Sequence, residues 1–464
     1  MKSKQNLKGK RVTVMGFARS GQAVARLLNR RGACVFVSDL NKTPILVQAQ
    51  DRFIEIGIDS EIGRHSKLVY LNKDLIVLSP GIPCTIPILQ EARARRVPIV
   101  SEIEIAYQMT NATVIGVTGT NGKSTTTALI GELLKRAGYE TEVAGNIGYA
   151  ASNVATDLSD KGYLITELSS FQLETIDQFR PHIAVLLNIT PDHLDRYPSM
   201  KDYISAKTRI FKNQHRNDFA VFNADDPLVR KAASHTRAKQ VAFSLDSASQ
   251  NRIVTVEQNN LYLNDPQVSQ MNHGKKTLIC SIDELNLKGA HNLQNVIAAL
   301  TVAHLLKTRV DVMRDTLTGK RGFKGLSHRL EYVATKNGVA YYNDSKATTV
   351  ESTLAAINSF ESVLLIVGGI DKGSDFSPLY DAVRKRVKEL ILIGKAKKKI
   401  FAALKGAAPL TFADDLEAAV DRISRKGIPG DIALLSPACA SFDMFANFED
   451  RGDCFRRVVH QLKD

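Results

Sequence analysis

No stretch constrains the fold of this chain more than Val114-Ile115-Gly116-Val117-Thr118-Gly119-Thr120-Asn121-Gly122-Lys123-Ser124-Thr125. A β-branched apolar run leads into glycines, then Gly122-Lys123-Ser124, then a helix-forming segment from about Thr126 to Arg136. That order of strand, turn and helix N-terminus sets backbone N–H groups around a phosphate, with Lys123 as a point charge and the Ser124 hydroxyl free for Mg²⁺. The G-x-x-x-x-G-K-[ST] pattern asks for a glycine at 117, where Val117 stands between Gly116 and Gly119. The competing reading is a strand–turn–helix corner with a chance Gly-Lys-Ser. The complete order of parts favours the phosphate site.

At 464 residues, 44% apolar and 24% charged, the chain has room for two to four globular domains. No apolar run approaches the roughly 18 residues of a membrane span. The basic N-terminus leads directly into a strand, which argues against a signal peptide. Five scattered cysteines (34, 84, 280, 439, 454) form neither a zinc pattern nor a disulfide framework, so a cytoplasmic location is expected. The net charge of +14 is spread along the chain, and its densest run, Lys395-Ala396-Lys397-Lys398-Lys399, reads as a solvated face. Nucleic acid is not an expected partner.

The first segment reads as a nucleotide-binding α/β unit. Arg11–Met15 is a strand, Gly16-Phe17-Ala18-Arg19-Ser20-Gly21 a turn and Gln22–Arg31 a helix. A second strand from Cys34 ends at Asp39, where a ribose-binding acid would fall. Ala18 replaces the middle glycine of G-x-G-x-x-G, which demotes a dinucleotide here. Strand Leu75–Leu78 ends in Ser79-Pro80-Gly81-Ile82-Pro83, a rigid loop at the edge where such sheets bind ligands.

In the second segment, strand Tyr163–Thr166 delivers Glu167, placed like the second magnesium anchor of a P-loop ATPase. A buried strand ending at Asn188 leads to Ile189-Thr190-Pro191-Asp192-His193, with His193 at the same sheet edge. In Met200–Phe211 the apolar stripe is Met200, Tyr203, Ile204, Ile210 and Phe211, and Lys207 falls on it. Such a lysine either snorkels or is desolvated with a lowered pKa. A neutral amine near a metal takes up CO₂ to become an anionic carbamate. Residues 240–285 alternate like a small sheet, and Ala290-His291-Asn292-Leu293-Gln294-Asn295 opens a long apolar helix. Asn292 and Asn295, at i and i+3, share a face suited to a base edge or to N-capping.

From about Leu326, strands 339–342, 363–367, 390–393 and 432–435 alternate with helical stretches and predict a parallel sheet. Their downstream loops, Asn343–Thr349, Gly368–Gly373 and Ser436–Ser441, carry two lysines and several hydroxyls that suit a small dicarboxylate or a phosphate.

These residues carry a resemblance. Gly119–Ser124, Glu167–Leu173, His193–Tyr197, His291–Asn295, Ser327-His328-Arg329, Asn343–Thr348 and Leu435–Ser441 look like the signatures of the Mur ligases. These are the ATP-dependent enzymes that build the peptidoglycan stem peptide. The match runs in order nearly end to end. The Gly16–Gly21 turn and the Gly369–Gly373 loop depart from it, which leaves the uridine contacts the least specified.

The resemblance implies an α/β protein of three domains. They would be a Rossmann-like UDP-binding domain (1–103), a central P-loop ATPase-like domain (104–325) and a Rossmann-like amino-acid-binding domain (326–464). It implies a ligase, nearest those that add D-glutamate to UDP-N-acetylmuramoyl-L-alanine through an acyl phosphate, acting as a monomer. ATP would meet Gly119, Thr120, Asn121, Gly122, Lys123, Ser124, Thr125, Asn292, Asn295, Arg329 and Asp344. One Mg²⁺ would sit on Ser124 and Glu167, a second on His193 and carbamylated Lys207. The UDP substrate would meet Arg19, Ser20, Asp39, Pro80, Gly81, Asn146, Ser169, Gln172 and His193. D-glutamate would meet Lys346, Thr348, Lys372, Ser441 and Phe448. A folylpolyglutamate synthase shares the scaffold, but the N-terminal unit with Asp39 argues against it. A non-catalytic nucleotide switch would not need Glu167, His193 and Lys207 together.

Overall fold

The computed structural model describes residues 6–192, 196–246, 252–264, 276–371 and 373–463, apart from the side chains of Ala290, His291 and Glu351. Two of the expected site residues, His193 and Lys372, lie outside the described residues. The chain divides into two compact units, residues 1–323 and 324–464.

The first unit holds two parallel sheets. Strands β1 (Arg11–Met15), β2 (Cys34–Asp39), β3 (Asp59–Ile62), β4 (Leu75–Leu78) and β5 (Ile99–Ser101) form a sheet of order β3-β2-β1-β4-β5. Reversal of strand order on either side of β1 opens a crevice at the carboxyl ends, where ligands bind in such folds. The helix expected from Gln22 begins earlier, at Arg19, and runs to Arg30.

The second sheet, of order β11-β10-β9-β6-β8-β7, comprises β6 (Thr113–Thr118), β7 (Thr141–Gly145), β8 (Tyr163–Glu167), β9 (Ile183–Leu186), β10 (Phe219–Asn223) and β11 (Lys239–Phe243). Central β6 is flanked by β8 and β9, so its residues are covered on both faces and both edges. Ile115 and Val117 pack with Leu129, Ile130, Leu133 and Leu134 of the Lys123–Arg136 helix and with the apolar Ala290–Leu305 helix. A short antiparallel sheet, β12 (Val254–Glu257), β13 (Asn260–Leu263) and β14 (Thr277–Ser281), fills the stretch read as a small sheet.

The second unit is a six-stranded sheet of order β15-β16-β20-β17-β18-β19. Its members are β15 (Glu331–Lys336), β16 (Val339–Asn343), β17 (Val363–Gly368), β18 (Val387–Ile393), β19 (Leu410–Phe412) and β20 (Ile432–Leu435). The four strands expected here, β16, β17, β18 and β20, do pair parallel; β15, which lies outside that expectation, adds an antiparallel hairpin partner to β16 at the edge. Its burial is only partial, so it lacks the continuous apolar run by which buried parallel strands are recognised. Among the described residues, no helix is long and apolar enough to cross a membrane.

Candidate active site

The phosphate loop follows from the burial of β6. Strand pairing extends to Thr118, so Val117 is a core residue opposite Glu167 and Val185 and cannot belong to the loop. The turn is therefore confined to 119–122. Gly119 (φ +154) and Gly122 (φ +81) take backbone conformations that a side chain would strain. Gly122 caps the Lys123–Arg136 helix, whose first internal bond runs from Thr126 N–H to Gly122 O. The N–H groups ahead of that bond face out of the helix end, as an anion site requires. The turn is held from both sides. Asn188, at the end of β9, accepts from Asn121 N–H at 2.7 Å and donates to Asn121 O at 3.1 Å. Thr120 Oγ1 donates to Thr190 O and accepts from Thr190 N–H, which ties the loop to the segment leading to His193. Asn295 closes the third side: it is buried, accepts from Thr126 Oγ1 at 3.2 Å, and lies so close that a Cβ on Gly122 would fall 2.2 Å from its Oδ1. Asn292 turns back to Lys288 O at 2.9 Å. The helix cap is Gly289, so neither asparagine is an N-cap.

Three charges meet beneath this loop. Lys123 Nζ donates to Gly119 O and Thr120 O at 3.0 and 2.7 Å. Lys207 does not snorkel: it is 2% exposed and its Nζ donates to the same Gly119 O at 2.7 Å, 4.7 Å from the Tyr203 ring centre. Burial, and secondly the Lys123 charge, holds its amine well below the ordinary lysine range, against the pull of Asp192 and Glu167. Glu167 is also buried; its Oε1 accepts from Asn146 Nδ2 at 2.8 Å, while Oε2 has no hydrogen-bond partner. A buried carboxylate oxygen without a donor is costly unless a cation meets it. The phosphate cradle, the orphan oxygen of Glu167 and buried Ser124 thus fit a nucleoside triphosphate with a divalent ion.

Asn146 follows β7, and Ser169 and Gln172 follow β8, so all three sit at this sheet's carboxyl edge. Ser169 and Gln172 form a capping box on the Ser170–Glu174 helix. In the neighbouring sheet, Arg19 and Ser20 open the Arg19–Arg30 helix, Asp39 ends β2, and Pro80 and Gly81 follow β4, all at one edge. Asp39 is buried and largely committed to the turn, accepting from Phe17 N–H at 2.6 Å and Asn41 N–H at 2.8 Å. Arg196, which lies in the His193–Tyr197 signature without an assigned role, links the two edges. The Arg196 guanidinium lies 3.8 Å over the Phe171 ring, donates to Ile82 O at 3.3 Å, and stands 3.5 Å from Glu174.

In the second unit, the loops after β16, β17 and β20 share one edge. Asp344 is buried, accepts from Ser436 Oγ at 2.8 Å and Leu330 N–H at 3.2 Å, and burial pushes its carboxyl up to about 7. Arg329 opposes that rise electrostatically. Lys346 N–H donates to His328 O at 3.0 Å, and its ammonium lies 5.8 Å from the Phe448 ring centre. Thr348 is half-buried on the same loop and Ser441 buried on the next. Arg451, which no sequence pattern singles out, is 0% exposed. Its Nε donates to Ser345 Oγ at 2.9 Å, Nη2 to Ser345 O and Cys439 O at 2.9 and 3.1 Å, and Nη1 reaches Gly368 O at 3.4 Å. One guanidinium therefore ties all three loops together.

Family models match three successive stretches: "Mur ligase MurD-like, N-terminal domain" over residues 10–101, "Mur ligase middle domain" over 117–303 and "Mur ligase, glutamate ligase domain" over 328–439. The UDP-N-acetylmuramoylalanine–D-glutamate ligase of Geotalea uraniireducens is 43% identical over 459 residues, covering 99% of each chain. The protein of that name from Thermoanaerobacter sp. (strain X514) is 39% identical over 462 residues, covering 98% of this chain and 99% of its own. Among solved structures, the UDP-N-acetylmuramate-alanine ligase of Thermotoga maritima superposes with a TM-score of 0.56 at 20% identity, over 98% of this chain and 100% of that one. A pseudomurein peptide ligase type C from Methanothermus fervidus gives 0.55 at 18%, with the same coverage. At those identities the likeness is one of fold.

Proposed function

The chain belongs to the Mur ligase family, and from that premise we propose that it joins D-glutamate to UDP-N-acetylmuramoyl-L-alanine at the expense of ATP. The observation that carries the substrate assignment is full-length identity of 43% to a ligase of that name. The phosphate loop above the orphan oxygen of Glu167 supports the ATP half. Cytoplasmic precursor synthesis by a monomer is part of the same reading, and five free cysteines agree with a reducing compartment.

The reaction has two steps. The alanyl carboxylate oxygen attacks the γ-phosphorus of ATP, the bond to the bridging oxygen breaks, and ADP leaves. The D-glutamate amine then attacks the acyl-phosphate carbonyl. Inorganic phosphate departs, and the amine gives up its proton as the amide forms. Lys123 and the N–H groups of 119–125 hold the terminal phosphates where charge moves during transfer. Asn292 and Asn295 are assigned to the adenosine side, with Arg329 and Asp344 keeping the nucleotide role that the resemblance gives them. Arg19, Ser20, Asp39, Pro80 and Gly81 are assigned to the uridine diphosphate, and Asn146, Ser169, Gln172 and His193 to the muramoyl part. Lys346, Thr348, Lys372, Ser441 and Phe448 are assigned to D-glutamate, the two lysines by charge-assisted pairing with its carboxylates.

Ser124 and Glu167 would hold one Mg²⁺, and His193 with carbamylated Lys207 a second. The ions supply charge stabilisation across the transferring phosphoryl group. Lys207 supports the carbamate because its amine is buried, depressed and close to Glu167 and Asp192. Once the ammonium has lost a proton, the uncharged amine attacks CO₂, a C–N bond forms and a second proton is released, so an ammonium is replaced by an anionic carbamate whose oxygen would serve as the ligand.

The test is phosphate release with ATP and UDP-N-acetylmuramoyl-L-alanine against D-glutamate, L-glutamate, D-aspartate, L-lysine and L-alanine. Sustained release with D-glutamate alone is expected. Turnover with another amino acid and none with D-glutamate would replace this assignment.

A further inference from the structure

The basic run Lys395–Lys399, which reads as a solvated face, contains one residue with a different task. Lys399 Nζ lies 2.6 Å from Asp371 Oδ2, and Asp371 Oδ1 accepts from Ser374 N–H at 2.7 Å. The Lys399 ammonium holds the Asp371 carboxyl below the usual carboxylate range. It also stands 5.7 Å from the ring centre of Phe376, which is buried. The turn just ahead of Lys399 backs the same loop. Ala396 N–H donates to Gly369 O at 2.8 Å, and a Cβ on Gly394 would fall 2.8 Å from Gly369 Cα. On the opposite side, Ile370 and Ala440 exchange two hydrogen bonds of 2.8 and 3.1 Å. Residues 369–371 and 374–376 are thus anchored on both sides of Lys372, and among the described residues the Lys399–Asp371 pair is the ionic contact in that set.

We propose that Lys399 is a positioning residue of the amino-acid site, acting through Asp371 on the loop that carries Lys372. The inference rests on the proposed function, which assigns Lys372 to a D-glutamate carboxylate. Lys399 is half-exposed, and ion pairs of that kind add little to global stability. What the pair does add is local order. A loop that samples its binding geometry only part of the time binds more weakly by that fraction, so losing the anchor raises KM for the ligand that the loop receives. It leaves the first phosphoryl transfer alone, because that step precedes the amino acid.

The experiment compares wild type with Lys399→Met, which keeps an unbranched side chain without the charge, and with Asp371→Asn, Lys399→Arg and the Met/Asn double variant. Each single loss is expected to raise KM for D-glutamate about five-fold. Expected kcat and the KM for ATP and for the UDP substrate stay within about two-fold. Trapping of the acyl phosphate by hydroxylamine without D-glutamate stays at the wild-type rate. The double variant is no worse than either single one, since the two residues act as a unit, and Lys399→Arg recovers most of the affinity. Unchanged KM in Lys399→Met, additive losses in the double variant, or an equal loss of trapping would overturn the inference. If wild type turns over with D-glutamate and Lys399→Met does so with the same KM, this inference alone fails. If wild type ignores D-glutamate, the functional reading fails.

Discussion

Lys123 and Lys207 donate to one and the same carbonyl oxygen, that of Gly119, at 3.0 and 2.7 Å. Lys207 is 2% exposed, and its burial, with the Lys123 charge second, lowers the pKa of its amine. The arrangement explains why a lysine can occupy the apolar stripe of the Met200–Thr208 helix without reaching solvent. It also makes Lys207 the candidate for conversion to a carbamate.

The expected behaviour of Lys207 variants follows. Lys207→Ala should cut turnover by at least about a hundred-fold, roughly 2.7 kcal/mol of transition-state stabilisation. Acetate or propionate should restore part of it by occupying the vacated ligand position. Lys207→Arg should be as inactive and not rescued, because guanidinium keeps its charge, takes up no CO₂ and fills the space. Phosphate release measured with and without added carboxylate decides it. An active arginine variant would make Lys207 a plain electrostatic contact.

Gly122→Ala tests the phosphate cradle. At φ +81 an added Cβ is strained by about 1–2 kcal/mol, and it would collide with Asn295 Oδ1 at 2.2 Å. Relief requires either the turn to open at the helix end that receives phosphate or Asn295 to leave Thr126 Oγ1, and both disturb the proposed nucleotide site. ATP affinity by isothermal titration should fall at least about ten-fold, with binding of UDP retained. Unchanged ATP affinity would mean that nucleotide binds elsewhere.

How far the sequence could be read depended on how local each signal was. The turn at 119–122 was legible because strand, glycines and helix are contiguous. Val117 looked like a defect in the motif only because the end of β6 is fixed by its pairing with β8 and β9, which a linear pattern does not reveal. Lys207 stood out because its helix has a clear apolar face. Arg451 did not: within Phe448-Glu449-Asp450-Arg451-Gly452-Asp453 it resembles any surface arginine. Its burial is set mainly by acceptors 83 and 106 positions away in sequence. The hairpin strand β15 was missed because an edge strand with one partner needs no apolar run.

Asp344 predicts a pH dependence of stability. Its folded pKa, about 7, lies above the unfolded value of 3.8. Between those values the folded protein holds a proton that the unfolded chain has released, so stability falls as pH rises from about 4 to about 7 and stays reduced above that. In Asp344→Asn the amide can donate to Ser436 Oγ, whose own proton turns to Thr353 Oγ1, 3.2 Å away. The variant should melt higher than wild type at pH 8, with the gain shrinking towards pH 4. A gain independent of pH would remove Asp344 as the titrating group.

Arg451→Lys separates geometry from charge in the second unit. Lysine keeps a positive charge but has three donors on one nitrogen, and it cannot span Ser345, Cys439 and Gly368 together. Near the loops it ties, His328 (φ +63), Leu330 (φ +43) and Ala438 (φ +55) hold left-handed backbone that relaxes when the surrounding structure no longer constrains it. The variant should bind D-glutamate at least about ten-fold more weakly while keeping acyl-phosphate trapping. Equal loss of both activities would point to general destabilisation.

The central claim is that ATP activates the alanyl carboxylate and D-glutamate then displaces phosphate from it. The most direct test uses UDP-N-acetylmuramoyl-L-alanine with heavy oxygen in that carboxylate, and follows label in the phosphate and amide in the nucleotide product by mass spectrometry. One labelled oxygen should appear in inorganic phosphate for each amide formed, in a reaction that needs both ATP and D-glutamate. Amide formed with no label in the phosphate, or phosphate released with no amide, would contradict the account.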